Sequence, residues 1–364
     1  MRLQHKQIKR NLSLISTTLS ITLLACAAGA AQAQSSVTIY GLLDVGLSFN
    51  NNVGGQSSVK MDNGIAAPSR LGFRGVEDLG GGLSAIFVLE NRFYVDTGVT
   101  FPQLFNRGSY VGLKSNTWGA LTVGRQFDFF NTALPPDATP FIEGGLSSGY
   151  QGFQSVTGTS PAVDNHSGTG LYDNAIKWQH TIGNWSGGLM YGLGSENNHD
   201  NMKSTFVKYV AGPLQLGAGW TKDNFSTTIA NQVFAVRMVY QIGDVELLAN
   251  YSEGKETVVV GSKAVARPFE LAASYYIAPT IRIGGGVGRA RDTNRAGNSA
   301  TLTQPFMSVR FILSKFTSLY VIAARNHSSD PTIIPSTVNT PGGASKNSSS
   351  ANQTAVRMGI VHTF

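Results

Sequence analysis

The chain has few residues in arrangements that could support catalysis. Residues 145–149 read GLSSG and match the serine-hydrolase nucleophile elbow by letter, but an elbow needs a strand before it and a helix after it, and this stretch is glycine-rich. Asp164 and His166, near Ser147, keep a hydrolase open as an alternative. Neither the metal spacing H-E-x-x-H nor the phosphate-binding G-x-x-x-x-G-K-[ST] occurs. We therefore expect no enzymatic activity, no bound metal and no cofactor.

Charged residues, mostly arginines, alternate with apolar ones in several segments. Arg70 and Arg74 flank the apolar pair Leu71 and Phe73, with only Gly72 between them. Every second residue of a β-strand lies on the same face, so such charges share a face opposite the apolar one. The same alternation places further charges on that polar face: Glu90, Arg92, Lys177, Arg237, Arg282, Arg310 and Arg357.

The elements that carry these charges are predicted to be long β-strands. Residues 37–49 have an apolar side chain at every odd position except Gly41, a run longer than an ordinary globular strand. Marking each such run predicts sixteen strands, near 36–49, 69–77, 82–93, 105–115, 118–126, 173–182, 185–194, 202–211, 213–222, 231–242, 244–254, 266–278, 280–292, 301–314, 316–327 and 353–364.

The connections between these strands alternate between short and long. Seven are turns of a few residues, and eight are longer, which is what sixteen antiparallel strands require when both termini lie at the short-turn end. The long ones are predicted near 50–68, 94–104, 127–172, 195–201, 223–230, 255–265, 293–300 and 328–352.

This alternation favours a transmembrane barrel over a water-soluble sandwich. Strands of about ten tilted residues cross a bilayer, and in lipid the sheet must close because an open edge leaves amides unpaired. Apolar residues then face lipid, polar ones face the lumen, and short turns lie at one rim with long loops at the other. Aromatic residues near strand ends suit an interfacial girdle: Phe49, Trp118, Trp185, Trp220, Tyr240 and Tyr251.

The first residues are predicted to be a cleaved signal peptide. Four basic residues precede an apolar stretch near 12–30 and the A-x-A site Ala31-Gln32-Ala33. We therefore assign residues 1–33 to the signal and 34–364 to the barrel domain. Removing Arg2, Lys6, Lys9 and Arg10 from the 28 basic residues leaves 24 against 21 acidic ones, a net charge of +3 that argues against nucleic-acid binding.

The single cysteine, Cys26, lies within the predicted signal, so the exported chain would contain no disulfide. Leu23-Leu24-Ala25-Cys26 loosely resembles a lipoprotein box, with Leu24 where a smaller residue is usual. Lipidation at Cys26 is the alternative to cleavage after Ala33.

Several segments resemble Gram-negative general porins, particularly those of β-proteobacteria. Residues 36–41 read SVTIYG, 69–75 SRLGFRG and 77–83 EDLGGGL, and the chain ends in GIVHTF. Residues 105–107 (FNR), 110–113 (YVGL) and 123–126 (VGRQ) follow the same family order, and the strand count extends the match over residues 35–364.

The resemblance implies an all-β fold, a sixteen-stranded antiparallel outer-membrane barrel that forms a homotrimer and allows passive diffusion of small hydrophilic solutes and ions. It also implies partners in outer-membrane lipid, lipopolysaccharide and the barrel-insertion machinery, for which the terminal Phe364 resembles the assembly signal. A substrate-specific channel or a loop-mediated adhesin on the same barrel remains the alternative function.

The long third connection, residues 127–172, is implied by the resemblance to fold into the lumen and narrow it. Structureless stretches of this length are usually functional or disordered. Aromatic residues and prolines at its start suggest packing against a wall, although a surface loop facing the medium is the alternative. Four acids of this connection would then face the lumen: Asp128, Asp137, Glu143 and Asp164.

A charged constriction is expected between this loop and the opposite wall. The alternation leaves the side of Arg107 ambiguous, because it would share a face with the apolar residues Val111 and Leu113. The resemblance places Arg107 inside the barrel. Leu171 stands where the family usually has another constriction arginine, which weakens the case for strong anion selectivity. The expected basic side is Arg70, Arg74, Arg92, Arg107 and Arg125, and the expected acidic side is Glu90, Asp128, Asp137 and Glu143.

Overall fold

A computed structural model describes residues 36–64, 67–100, 102–134, 170–194, 201–226, 229–258, 261–333 and 348–364. The predicted signal peptide lies outside these residues. The described part contains one helical turn, α1 (Phe129–Thr132), and seventeen β-strands. The strands are β1 (Ser36–Val53), β2 (Gln56–Asn63), β3 (Arg70–Gly80), β4 (Leu83–Arg92), β5 (Gly108–Ser115), β6 (Gly119–Phe127), β7 (Leu171–Ile182), β8 (Trp185–Gly192), β9 (Met202–Ala211), β10 (Leu214–Ser226), β11 (Ile229–Ile242), β12 (Val245–Val258), β13 (Lys263–Ala278), β14 (Ile281–Thr293), β15 (Ser299–Ile312), β16 (Thr317–Ser328) and β17 (Asn352–Thr363).

The strands alternate between an exposed apolar face and a shielded inner face, as their sequences predict. In β13, Leu271 is 52% exposed whereas its neighbours Glu270 and Ala272 are 1% and 9% exposed. Apolar residues that remain exposed on the outside of a sheet make a surface suited to lipid. The girdle residues share this outer side, as Phe49, Trp185, Tyr240 and Tyr251 are exposed there.

The sheet closes on itself through its first and last strands. β1 pairs antiparallel with β17, for example Leu47 with Met358, and each strand from β4 onward pairs antiparallel with the one before it. β2 and β3 both pair with β1, on its second and first halves respectively, so these two strands occupy one position of the wall. The chain therefore forms a closed 16-stranded antiparallel β-barrel.

The first predicted long connection, residues 50–68, is wrong for most of its length. β1 continues to Val53, and a tight turn leads directly into β2. Gly54 and Gly55 make this turn with φ angles of 63° and 96°, which are readily accessible to glycine. Only a short break separates β2 from β3, so the barrel strand is interrupted rather than replaced by a loop.

Three other predicted long connections, 223–230, 255–265 and 293–300, are also shorter than expected. β10 runs on to Ser226, β12 to Val258, and β13 begins at Lys263. The apolar alternation ends before the strand does, because pairing of the backbone continues above the lipid while the outward side chains become polar. Lys222, for example, lies outward on β10 and pairs with Lys203 of β9.

The short turns lie at one end of the barrel, as predicted. Gly212 and Gly243 occupy two of them with φ angles of 55° and 57°. Residues 93–107, 128–170 and 329–351 remain long connections at the opposite end. Within the residues described, no helix has the length and apolar character needed to cross a membrane.

Candidate functional site

The inner wall of β3 and β4 carries a row of arginines. Arg70 and Arg74 lie on the inner face of β3, because Leu71 between them is exposed on the outer face. Arg92 of β4 is directly opposite Arg70 in the register of the two strands. Leu42 of β1 lies opposite Arg70 on its other side and is buried. The arginines predicted to share the inner face therefore do so.

Glu90 connects this row to two neighbours. Its Oε1 atom lies 2.6 Å from Nε of Arg107, and its Oε2 accepts a hydrogen bond of 2.9 Å from the hydroxyl of Tyr40. Tyr40 and Glu90 are on either side of Gly72 in the sheet. A Cβ atom at Gly72 would lie 2.5 Å from Cζ of Tyr40, so the ring reaches Glu90 only because this residue is glycine.

Arg107 precedes β5, which begins at Gly108, so the alternation of that strand does not determine the side on which Arg107 lies. Its backbone N–H donates to the carbonyl of Glu90 at 3.0 Å, and its guanidinium carbon lies 5.0 Å from the centroid of the Phe127 ring. Burial, together with the positive charge of Arg70, lowers the pKa of the Arg107 guanidinium, whereas Glu90 opposes this shift. Arg107 remains charged, since an arginine side chain is not deprotonated in proteins.

The basic wall, which we define as Arg70, Arg74, Arg92, Arg107 and Glu90, has four positive charges and one negative charge. Its net charge is therefore +3. Glu90 was expected on the acidic side of the constriction, but it is bonded to Arg107 within this wall. Arg74 lies over the Tyr40 ring, 5.3 Å from its centroid. Among the described residues, neither Arg70 nor Arg74 has a carboxylate partner.

The start of the third connection is anchored to the opposite part of the barrel. Asp128 is fully buried and caps α1, since its Oδ1 accepts from the Phe130 N–H at 3.2 Å. Its Oδ2 accepts a hydrogen bond of 3.1 Å from the hydroxyl of Thr221 on β10. The structure thus gives Asp128 a structural role at the root of the loop, away from the place expected for a constriction acid.

Two inward basic residues hold the main chain of the same segment. Nζ of Lys177 donates to the Phe127 carbonyl at 2.9 Å and to Thr132 Oγ1 at 2.8 Å. Nη1 of Arg237 donates to the Phe130 carbonyl at 3.3 Å. Both were expected to face the lumen, and both do, but they bind the loop root there.

Apolar packing completes this anchor. The rings of Phe129 and Phe206 lie with their centroids 4.5 Å apart, and Phe130 is almost completely buried. A Cβ atom at Gly188 would lie 2.8 Å from Cζ of Phe129, so this inward glycine makes room for the ring. The third connection therefore enters the lumen along β7–β11, which confirms its predicted inward fold over the described residues 128–134.

Arg125 takes a different place from the other predicted arginines. It pairs with Ser109 of β5, which shares the outer face with Val111. Paired residues of an antiparallel sheet lie on the same face, so Arg125 points outward, where it contacts Asp173. The structure does not bring Arg125 to the basic wall.

The remaining inward arginines lie elsewhere on the inner wall. Arg282 forms an ion pair with Glu246 at 2.8 Å, and Arg310 Nε donates to Ser318 Oγ at 3.0 Å. Arg357 is buried and lies near Asp62. The predicted acids Asp137, Glu143 and Asp164 lie outside the described residues. Sequence reasoning missed Tyr40, although its inward parity was readable from the alternation of β1.

Comparison with known protein families identifies this architecture. The family described as Gram-negative porin matches residues 20–331. The chain belongs to the Gram-negative porin family. This porin is located in the outer membrane, as its relatives and its lipid-facing barrel indicate.

Individual relatives agree with this assignment. An outer membrane porin protein of Bordetella pertussis is 31% identical to this porin, across 62% of this chain and 64% of the relative. Outer membrane porin protein 32 of Delftia acidovorans is 32% identical, across 53% of this chain and 56% of the relative. The matched part thus spans less than two thirds of each relative.

A solved structure has the same fold. The anion-selective porin from Comamonas acidovorans superposes with a TM-score of 0.79 and 23% identity, covering 91% of this chain and 100% of that one.

Proposed function

We propose that this porin forms a water-filled channel for passive diffusion of small hydrophilic solutes and ions, with a weak preference for anions. The observation that carries the proposal is the basic wall, in which four arginines lie together with one carboxylate, that of Glu90. Charges that line a narrow aqueous passage change the local concentration of ions of each sign. A wall with a net positive charge favours anions.

The preference is weak because several charges are already compensated. Glu90 offsets Arg107, and Glu246 offsets Arg282. Lys177 and Arg237 are directed at the loop root, where main-chain carbonyls accept their hydrogen bonds. Leu171 further reduces the number of cations, since an arginine would be expected there from the resemblance.

We place the constriction between the basic wall and the third connection. The anchor at Asp128–Leu134 supports this arrangement, since it holds the described start of the connection against the inner wall along β7–β11. Asp137 and Glu143 follow the anchor in sequence, and we propose that they face Arg70 and Arg107 across the passage. Opposed charges of this kind create a transverse field that filters solutes by charge.

Single-channel conductance in planar bilayers tests the proposed function. A diffusion channel gives large ohmic steps and a reversal potential in a salt gradient that indicates a modest anion preference. Steps that a particular solute blocks would support the substrate-specific alternative, and the absence of steps from correctly folded protein would support an adhesin.

We further propose that the porin is a homotrimer without enzymatic activity, delivered by the barrel-insertion machinery. The family resemblance supports the trimer, and the C-terminal residues GIVHTF support recognition by that machinery. Unboiled electrophoresis of gently extracted protein should show a heat-sensitive trimer. A conducting monomer after the same extraction would contradict it.

A further inference from the structure

Asp292 is a buried acid on the inner face of β14, close to the long-loop end of that strand. It is completely buried, and neither its Oδ1 nor its Oδ2 has a hydrogen-bond partner in the part of the chain that the structure describes. Its neighbours across the sheet are Ala266 of β13 and Ala300 of β15, which have no polar side chain. The carboxyl group takes no part in the basic wall or in the anchor of the third connection.

The start of the last long connection covers this part of the inner wall, and we call residues 329–333 the covering segment. The Ser329 N–H donates to the Thr301 carbonyl at 2.9 Å, and the Thr301 N–H donates to Ser329 Oγ at 2.9 Å. The side chain of Ile333 packs against three apolar residues that lie next to Asp292 on the inner face. They are Ala290, Ala300 and Leu302. The covering segment is thus tied to β15 at its first residue and held inward by apolar contact at its last.

The charged groups near Asp292 are bonded to other residues. Arg295, in the turn that follows β14, donates from its Nε to Glu256 of β12 at 2.7 Å. The covering segment contains one acid, Asp330, which accepts hydrogen bonds from the hydroxyl and the N–H of Thr332. These bonds lower the pKa of Asp330, which therefore remains ionised above the acid range. Within the described residues, no basic side chain pairs with Asp292.

Burial without a partner favours the neutral form of a carboxyl group, because an ionised carboxylate loses its hydration there. Asp292 lies above the lipid-facing part of β14, since its outward neighbours Arg291 and Thr293 are polar. Burial raises the pKa of the Asp292 carboxyl group well above its usual range. Asp292 is therefore kept neutral while it is covered, and it ionises more readily once the covering segment moves away and water reaches it.

We propose that Asp292 is the proton-sensitive element of a switch at the outer mouth of the lumen, in which the covering segment docks on the inner wall when Asp292 is neutral and leaves it when Asp292 ionises. Docking narrows the mouth, because the covering segment then lies inside the barrel. The docked state is most stable below about pH 4, where Asp292 is neutral in both states, and it loses stability as the pH rises above that value. The long-loop end faces the exterior, so the switch responds to external pH. The effect on conductance rests on the proposed channel function, whereas the docking itself does not.

Thiol labelling measures docking independently of conduction. The described residues contain no cysteine, so I333C introduces a thiol that a methanethiosulfonate reagent reaches when the covering segment is undocked. V99C, at an exposed position of the connection 93–107, corrects for the effect of pH on the thiol itself. The ratio of the I333C rate to the V99C rate should rise about tenfold or more between pH 5 and pH 9, since one pKa unit of difference between the two states corresponds to a tenfold change in the docking equilibrium. A ratio that does not change with pH overturns the proposal.

A second substitution identifies the group that titrates. In I333C/D292N the carboxyl group is replaced by an amide of nearly the same shape that is neutral at every pH, so the labelling ratio should not change with pH. I333C/D96N is the matched control, since Asp96 is an exposed acid at the same end of the barrel, and it should keep the pH dependence of I333C. Persistent pH dependence in I333C/D292N, or its loss in I333C/D96N, would assign the effect to other acids and overturn the role of Asp292.

Single-channel conductance tests whether docking narrows the mouth. The pH on the long-loop side is changed from 5 to 9 while the other side stays at pH 7. The mean conductance of the wild type should rise with external pH, and that of D292N should not. An equal change in both proteins would overturn the narrowing. Folded protein that gives no channels would contradict the proposed function instead, and the labelling ratio would still decide whether the switch exists.

Discussion

Phe364 closes the barrel seam against Gly41. The Gly41 N–H donates to the Phe364 carbonyl at 3.0 Å, and the Phe364 N–H donates to the Gly41 carbonyl at 3.1 Å. A Cβ atom at Gly41 would overlap the Phe364 ring, so the ring lies over the glycine. The last residue therefore completes the pairing of β17 with β1 and presents a half-exposed aromatic ring to the lipid.

Deletion of Phe364 should lower the amount of porin in the outer membrane without reducing export across the inner membrane. The deletion removes the two hydrogen bonds between Phe364 and Gly41 and the aromatic end of the proposed assembly signal. Fractionation and immunoblotting measure the two pools. G41V, which retains Phe364 but displaces its ring, should reduce assembly less, and unchanged membrane levels of the deletion variant would refute the role of Phe364.

Neutralising Arg70 and Arg107 together should shift ion selectivity towards cations. One charge about 8 Å from a passing ion in water contributes about 0.5 kcal/mol, which corresponds to about a twofold change in the local concentration of that ion. The shift should shrink at high salt, since the Debye length falls from about 10 Å at 0.1 M to about 3 Å at 1 M. Reversal potentials of R70Q/R107Q and wild type provide the measurement.

Neutralising two acids of the third connection provides the opposite test of ion selectivity. D137N/E143Q should shift selectivity in the opposite direction, towards anions. Identical reversal potentials for wild type and both double variants would show that the constriction is formed elsewhere.

E90Q should increase the preference for anions, because it removes the one carboxylate of the basic wall and leaves Arg107 uncompensated. Y40F offers a matched control, since it removes the hydrogen bond to Glu90 without changing the charge. We expect a shift in reversal potential for E90Q and little shift for Y40F. Equal effects would indicate that the geometry of Glu90, rather than its charge, determines selectivity.

K177Q should loosen the root of the third connection. The Phe127 carbonyl and Thr132 lose their shared donor, and hydrogen bonds to a charged group contribute about 1.5–3 kcal/mol. We expect a broader distribution of single-channel conductance with a higher mean. K114Q is the control, because Lys114 is an exposed residue on the inner face of β5, outside the contacts described for residues 127–134; a similar broadening in K114Q would argue against the anchor.

The exported protein should begin at Gln34. The site Ala31-Gln32-Ala33 predicts cleavage after Ala33. Intact-mass spectrometry of outer-membrane protein distinguishes this N-terminus from one at Cys26, which would carry a lipid. Detection of a lipidated Cys26 would exclude the predicted cleavage.

Much of the fold was readable from the sequence because lipid imposes a simple rule. Leu271 faces lipid and the adjacent Glu270 does not, and this alternation recurs along the parts of the strands that contact lipid. The alternation of apolar and polar residues is required only where a strand contacts lipid, so the sequence predicts loops for the residues of β2 and for the upper part of β10. Their strands persist through backbone pairing, which has no hydropathy signal.

The positions of the candidate site residues could be predicted only in part from the sequence. Arg70, Arg74 and Arg92 lie on the inner face because their strands are regular there. Arg125 does not, since it continues the outward phase of Leu121 and Val123 and contacts Asp173, and only the resemblance had assigned it to the constriction. The sequence identifies Asp128 only as an acid in a loop. Its burial depends on contacts with distant strands, such as the hydrogen bond from Thr221 on β10.

The sequence by itself determined the barrel, its strand number, the end at which the short turns lie and the inward parity of most arginines. These follow from local periodicity, because each strand must satisfy lipid on one side and water on the other. Only the tertiary structure decided which charges are compensated. Glu90 reaches Tyr40 across Gly72 and reaches Arg107 from a neighbouring strand, and such contacts depend on register, on strand ends and on a single missing Cβ atom. None of these is encoded in the alternation of polar and apolar residues.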